Sequence, residues 1–460
     1  MKTKLALLLA VAGLCAAPEL YAQSAIYACG HIRRNRTEAY DNLRNSGYTT
    51  AIIFNVTVEE DGTLTTDYDW KNQRPAETGG IICRDGEYVF GEVQPEYVSD
   101  VQSLLKQPTS ISRLEFCIGG WGNGSYGNIR KLVERDGTGP ETILYRNFKA
   151  LKEAIPEVVA INNDQEQDYN VEAATAFHRM MAEIGYKTTI APYTNKTFWQ
   201  TLVANLNETP GTCDIVYLQT YGGGSGNNPA SWKVFGDIPM YVGFDCESSS
   251  SRTTMERKFK NWKENADVQG GFLWNYNDER RSLNEWATAI NRIFPTVKAD
   301  KEAATVYGNA DFGGYAVELP AGEFSQPVMA LYGVAAKDVA SLKVTPGYTV
   351  TLYKGRFLDG DSRTWTEDAS TLADGWADAA CSLRIAPGSG IGDIDADGAT
   401  TIGGEGEIIF HGEAGEAKIY DLQGRLLKTL CTTTASTRLP MPRGLYLVKT
   451  ASGTAKIAVR

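Results

Sequence analysis

The chain has 460 residues, 42% hydrophobic and 22% charged, which predicts a globular protein of two or three domains rather than one core. Its formal net charge of −11 argues against nucleic acid and anionic lipid as partners, because phosphates demand a basic surface. Neutral sugars make no such demand, and 9 Trp and 23 Tyr offer faces on which sugar rings can stack, although most of these aromatics are expected in cores.

Residues 1–22 read as an export signal. Lys2 and Lys4 precede a short apolar run, Leu5 to Leu14, and Leu20-Tyr21-Ala22 offers a cleavage point before Gln23. The run is too short to span a bilayer, and no other stretch reads as transmembrane. Leu14 precedes Cys15 where a lipid-attachment site carries a small residue, so simple cleavage is expected. The cysteines that follow (Cys29, Cys83, Cys117, Cys213, Cys246, Cys381 and Cys431) form no CxxC pair and no zinc spacing, and are expected as buried thiols. His31, His178 and His411 lie far apart in the chain. Neither a metal, nor a Ser-His-Asp site, nor any cofactor is expected.

Residues 23–297 alternate short β-rich runs with helical patterns. Strands are predicted at 25–29, 50–54, 113–118, 158–164, 188–192, 215–221, 240–244 and 270–274, and helices include 97–105, 145–154 and 171–184. Eight strand-plus-crossover units over this length predict an α/β fold, a closed parallel (β/α)₈ or TIM barrel, whose functional groups sit at the C-terminal strand ends. The fourth strand ends Asn162-Asn-Asp164-Gln-Glu166. Strand alternation puts Asn162, Asp164 and Glu166 on one face. Consecutive inward polar groups are costly unless they meet water or a ligand. Neighbouring carboxylates raise each other's proton affinity, so one can remain an acid near neutral pH. From this strand alone, a structural polar strand end stays open as the alternative.

Other strand ends agree. The third reads Cys117-Ile-Gly119-Gly120-Trp121, the sixth Gln219-Thr-Tyr221-Gly222 and the eighth Trp274-Asn-Tyr276. Together these resemble family 18 glycoside hydrolases, the chitinases and endo-β-N-acetylglucosaminidases. The resemblance implies substrate-assisted catalysis, in which the substrate's own acetamido oxygen is the nucleophile. On that basis Glu166 is the general acid, Asp164 orients the acetamido group and Tyr221 binds its carbonyl. Trp274 floors the sugar, while Asn162, Gln219, Trp121 and Tyr276 complete the binding surface. The sequence departs from the family pattern at Val159 and Asn162, where acids are usual, and at Cys117 and Gly222. Asn162 is expected to donate to Asp164 without being able to take its proton, and Asn162→Asp to raise the rate or shift its optimum. Two readings follow: a hydrolase, or a non-catalytic, lectin-like glycan binder of the kind found among relatives with degraded sites.

Residues 303–388 change character, with Gly, Asp and aromatics punctuating short alternating runs. Tyr307 to Gly314 and Tyr353 to Gly360 repeat one pattern, and each is followed by a closing strand beginning Ser341-Leu or Ser382-Leu. This resembles a βγ-crystallin domain, all-β with two Greek keys. Of its calcium loops, Ala336 to Ser341 and Ala377 to Ser382, only the second keeps an acid, Asp378, in its expected ligand place, so a structural role is expected. Residues 389–404 read as a Gly/Ala/Asp linker. Residues 405–460 read as a small β-sandwich, and the runs Ile419 to Arg425 and Leu439 to Val448 resemble the C-terminal sorting domain of type IX secretion cargo. That implies a secreted or cell-surface protein, with the secretion machinery and a glycan containing N-acetylglucosamine as its partners.

Overall fold

The computed structural model describes residues 23–459 apart from 31, 33–34, 70–73, 247–250, 277–281, 296, 298–300, 388–399, 404–405, 412–414, 422–423, 434–435 and 451–453. The export signal, most of the linker and the Gln423 turn lie outside the described residues. Eight parallel strands form the centre: β1 (Ser24–Ala28), β2 (Thr50–Val58), β6 (Arg113–Gly119), β7 (Val158–Asp164), β8 (Lys187–Ile190), β9 (Cys213–Leu218), β10 (Met240–Asp245) and β11 (Gly270–Tyr276). β1 pairs with both β11 and β2, which closes the ring. All eight predicted strands are present in the predicted order.

The crossover helices follow from amphipathic stretches with local stop and start signals. In chain order the helices of this part are α1 (Arg36–Arg44), α2 (Tyr97–Ser103), α3 (Ser125–Asp136), α4 (Ile143–Ala154), α5 (Val171–Ile184), α6 (Lys196–Leu206), α7 (Arg252–Ala266) and α8 (Leu283–Ile293). Asn170 caps α5 by accepting from the Ala173 N–H, and Gly185 ends it in the left-handed region that its missing Cβ allows. Alternation along each strand separates two cores. Tyr27, Ile52, Cys117, Tyr217 and Phe272 fill the barrel, whereas Ile26, Ala28, Ile53 and Leu273 face the helices.

The sequence reading missed an antiparallel extension of β2, made of β3 (Leu64–Asp69), β4 (Arg74–Arg84) and β5 (Glu87–Tyr88). Asn147 of α4, fully buried, holds both its ends, accepting from the Gly86 N–H and donating to the Gly62 carbonyl.

Residues 304–387 form two sheets, β13-β12-β15 and β14-β18-β16-β17, from β12 (Ala304–Asn309), β13 (Gly313–Leu319), β14 (Gly322–Phe324), β15 (Ser341–Val344), β16 (Tyr348–Tyr353), β17 (Ser362–Trp365) and β18 (Ser382–Pro387). Each half lends a segment to the other's sheet: β14 pairs with β18, and Ala369 bridges Leu342 of β15. The repeat is exact in its hydrogen bonds. Ser341 Oγ donates to the Asn309 carbonyl and accepts from the Phe312 N–H, while Ser382 Oγ donates to the Gly355 carbonyl and accepts from the Leu358 N–H. The fold is therefore multidomain, an α/β barrel followed by a βγ-crystallin-like all-β domain.

The chain divides into two compact units, and the barrel shares one with much of the crystallin-like segment. Within that unit Asn291 of α8 donates to the Gly47 and Ala330 carbonyls, at 2.8 and 2.9 Å, and Arg292 lies over the Tyr315 ring. In the second unit, sheets β19-β20-β23 (Thr400–Gly403, Glu407–His411, Thr437–Pro440) and β22-β21-β24-β25 (Leu426–Thr432, Gly415–Tyr420, Gly444–Lys449, Thr454–Val459) enclose a core of Phe410, Ile419, Tyr446, Val448 and Ile457. Six of the seven cysteines from Cys29 onward are buried and Cys431 is exposed, with no disulfide among them.

Candidate active site

β7 ends at the open C-terminal face of the barrel. There Asp164 is almost fully buried and Glu166, two residues on, is half-buried. Gln219, just beyond β9, links them: its Nε2 donates to Asp164 Oδ1 at 2.8 Å and to the Ala191 carbonyl at 3.0 Å, with Glu166 Oε1 at 3.5 Å. Burial raises the proton affinity of both carboxyls, and the neighbouring Glu166 charge raises that of Asp164 further. Gln219 acts against this at Glu166 by hydrogen bonding to its charged form.

Glycine makes the approach possible. A Cβ on Gly119, at φ +111°, would run into the Asp164 carbonyl, and the Gly120 N–H donates to that carbonyl at 2.7 Å. Tyr221 packs against the Phe272 ring, where a Cβ on Gly243 would come within 2.5 Å of it. Its phenol is pushed well up by burial and then by the Asp164 and Glu166 charges. Trp274 stands edge-on to Tyr27 and Phe54, with ring centroids 5.3 and 5.0 Å away. Trp121 is 76% exposed, and together with Glu166, Tyr193, Gln219 and Gly223 it lines a cavity of about 270 Å³. One site thus brings together Asp164, Glu166, Gln219, Tyr221, Trp274 and Trp121.

Two expectations do not match the structure. Asn162 makes no hydrogen bond to Asp164. It accepts from the Tyr27 hydroxyl and donates to Thr189 Oγ1, both at 2.9 Å, and Thr189 in turn donates to Glu115 Oε2 at 2.6 Å. Tyr276, expected on the sugar-binding surface, is 1% exposed in the core against the helices, its hydroxyl 3.3 Å from Asn42 Nδ2. The reason is a bulge. Between Ile26↔Leu273 and Ala28↔Tyr276 the strand β11 gains one residue, which reverses the alternation after Trp274.

The sequence reading also missed Glu115, Thr189, Tyr27 and Tyr193. Glu115 is fully buried inside the barrel, accepting from Arg113, Thr189 and Tyr217, and Arg113 also grips Asp214 through two hydrogen bonds. A signal for it existed, since Arg113 and Glu115 are same-face charges in an otherwise apolar strand.

No family model matches the chain. It is 37% identical over 68 residues to development-specific protein S of Myxococcus xanthus, and likewise to a homologue of that protein. Each match covers 15% of this chain and 39% of the relative, so the chain spans well under half of the relatives it matches. Among solved structures, a βγ-crystallin domain from Flavobacterium johnsoniae is 28% identical with a TM-score of 0.19, covering 19% of this chain and 99% of its own. The N-terminal domain of protein S is 29% identical with a TM-score of 0.18, covering 18% and 96%.

Proposed function

We propose that the barrel hydrolyses β-linked N-acetylglucosamine glycans, with retention, by substrate-assisted catalysis. The observation that carries this reading is a pair of carboxyls, buried Asp164 and half-buried Glu166, both within reach of Gln219 Nε2 at the open end of the barrel, with Tyr221 and Trp274 supplied by two other strand ends. Burial raises the proton affinity of both groups, and the Glu166 charge raises that of Asp164 further, which is the direction a carboxyl acting as a general acid requires.

In this mechanism Trp274 lies beneath the sugar ring. The acetamido oxygen attacks the anomeric carbon while the Glu166 carboxyl delivers its proton to the departing glycosidic oxygen. Asp164 accepts the acetamido N–H, which holds that oxygen in line, and the Tyr221 hydroxyl donates to it. Water then adds to the anomeric carbon of the cyclic intermediate from the opposite side, returns a proton to Glu166, and reopens the ring with net retention. The protein is exported through residues 1–22, and residues 405–460 are read by secretion machinery that leaves it outside the cell. Among the described residues no helix is long and apolar enough to cross a membrane.

The test is incubation of the full chain with N-glycoproteins and chitooligosaccharides, read by mass spectrometry. Products with a new N-acetylglucosamine reducing end support the reading. Binding without turnover, equal in wild type and Glu166→Gln, would replace it with the lectin-like one.

A further inference from the structure

Behind the two carboxyls lies a second polar set, on the opposite face of β7. Alternation turns Asn163 away from the barrel interior, into the layer between strands and helices, which is filled by apolar residues such as Ile161, Phe177 and Met181. Asn163 and His178 of α5 are both completely buried there. Two polar side chains in such a layer are costly unless their hydrogen bonds are met.

Their bonds are met in one direction only. Asn163 Oδ1 accepts the backbone N–H of Gln165 at 2.9 Å, which fixes the amide so that Nδ2 faces His178 Nε2, also at 2.9 Å. Nδ2 can only donate, so Nε2 accepts and the imidazole proton sits on Nδ1, 3.0 Å from Thr188 Oγ1. Burial lowers the His178 pKa to about 3, which keeps the ring neutral. Tyr126 stacks on it, ring centroids 6.3 Å apart. The bound N–H belongs to Gln165, the residue between Asp164 and Glu166. Further on, Gln165 Nε2 donates to the Asp168 carbonyl, and Asp168 pairs with Arg130 at 3.2 Å.

We propose that Asn163 and His178 are positioning residues: the neutral imidazole orients the Asn163 amide, which holds the Gln165 N–H and so fixes the turn that presents the two carboxyls. This rests on the hydrolase reading for its effect on rate but not for its effect on the turn. Neither residue touches substrate, so the effect falls on kcat.

The experiment uses the full chain and the substrate that wild type cuts best. His178→Leu and Asn163→Ala are expected to lower kcat by about 10- to 100-fold with KM nearly unchanged, the size expected of a misplaced catalytic group. His178→Gln, whose side-chain carbonyl can accept from Asn163 Nδ2, is expected to recover most of the rate. Hydrogen exchange supplies a readout independent of turnover. The Gln165 amide should exchange faster in His178→Leu and Asn163→Ala and return toward wild type in His178→Gln, while amides of β9 do not change. If wild type proves inactive on every glycan, the hydrolase reading fails and exchange alone decides the positioning claim. If His178→Leu does not fold, Thr188→Val, which removes only the partner of Nδ1–H, is expected to show the same pattern at smaller size. Unchanged kcat and unchanged Gln165 exchange, or equal losses in His178→Leu and His178→Gln, overturn the proposal.

Discussion

At the barrel mouth and in the two crystallin-like loops, turns carry acids and hydrogen-bonding side chains, but the two regions use them differently. Ser341 and Ser382 each satisfy one carbonyl and one N–H of their own repeat. Their hydroxyls are consumed in folding. Asp164 is buried almost as deeply and Glu166 is half-buried, yet among the described residues the only side chain that donates to them is Gln219. Carboxylate oxygens left with acceptor capacity in a desolvated place are expensive for the fold, and that cost is the usual mark of a site kept for a ligand. The comparison separates polar residues that build a fold from polar residues the fold holds in reserve.

The hardest test of that distinction is Glu166→Gln. It leaves the shape of the mouth but removes the proton donor, and hydrolysis is expected to fall by about 10²–10⁴-fold or more, measured by product release under saturating substrate. A smaller change would move Glu166 to the fold-building class.

Asn162→Asp comes next. On sequence grounds the change was expected to aid charge cycling, but the structure gives the opposite expectation. Asn162 donates to Thr189, whose own proton is committed to Glu115. An Asp there loses that donation and brings a second carboxylate toward Glu115 across one hydroxyl, in a fully buried place. Denaturant titration should show a loss of about 1–3 kcal/mol, the cost of a buried polar group without its partner, with no gain in rate.

The pH dependence of stability sharpens the same contrast. His178 is held neutral with a pKa of about 3, against about 6.5 in an unfolded chain. Between those values the unfolded state binds the extra proton, so His178 contributes stability above pH 6.5 that is lost on acidification, by up to about 1.4 kcal/mol per pH unit. Asp164 and Glu166 have the opposite sign. Their folded proton affinities are raised, so the stability they contribute is full at acid pH and is lost as pH rises through the folded values. Melting temperature against pH should therefore fall less steeply on the acid side in His178→Gln, and Asp164→Asn should melt above wild type at pH 8, the gap closing on acidification. An Asp164→Asn curve parallel to wild type would show that the pair is not held at a cost.

Much of this was legible in the sequence, and what was not has local causes. The eight strands stood out because β-branched runs alternate with helical stretches, and the Gly119-Gly120, Asp164, Glu166 and Tyr221 signals fell at their ends. Tyr276 was misplaced because a one-residue bulge in β11 is invisible to a period-two reading. Asn162 was paired with the wrong neighbour because the competing partners, Tyr27 and Thr189, come from strands 135 and 27 residues away. The β3–β5 extension was passed over because its Thr- and Gly-rich stretches carry little hydrophobic signal. His178 looked like an isolated histidine because its partners Asn163, Thr188 and Tyr126 are 10 to 52 residues distant.

The smallest expected effect lies on the crystallin-like side. Calcium needs about 6–8 oxygen ligands. In the loop ending at Ser341, an exposed Lys337 occupies a position where a calcium site would need an oxygen, and the Lys337 N–H donates to the Ala380 carbonyl. In the loop ending at Ser382, Asp378 is the one acid, and its N–H donates to the Val339 carbonyl, so each loop is closed by the other. Among the described residues no cluster of three His, Cys, Asp or Glu could hold a metal. A ligand that binds only the folded state stabilises it by RT ln(1 + [L]/Kd), so even a modest site would respond to millimolar calcium. The full chain is the right object for the measurement, since Asn291 and Arg292 tie this segment to the barrel and a fragment would lose those bonds. Its melting temperature should be the same in millimolar calcium and in chelator. A calcium-dependent rise, absent in Asp378→Ala, would mean that the loops hold oxygen ligands in reserve as the barrel mouth does, and the distinction between the two regions would fail.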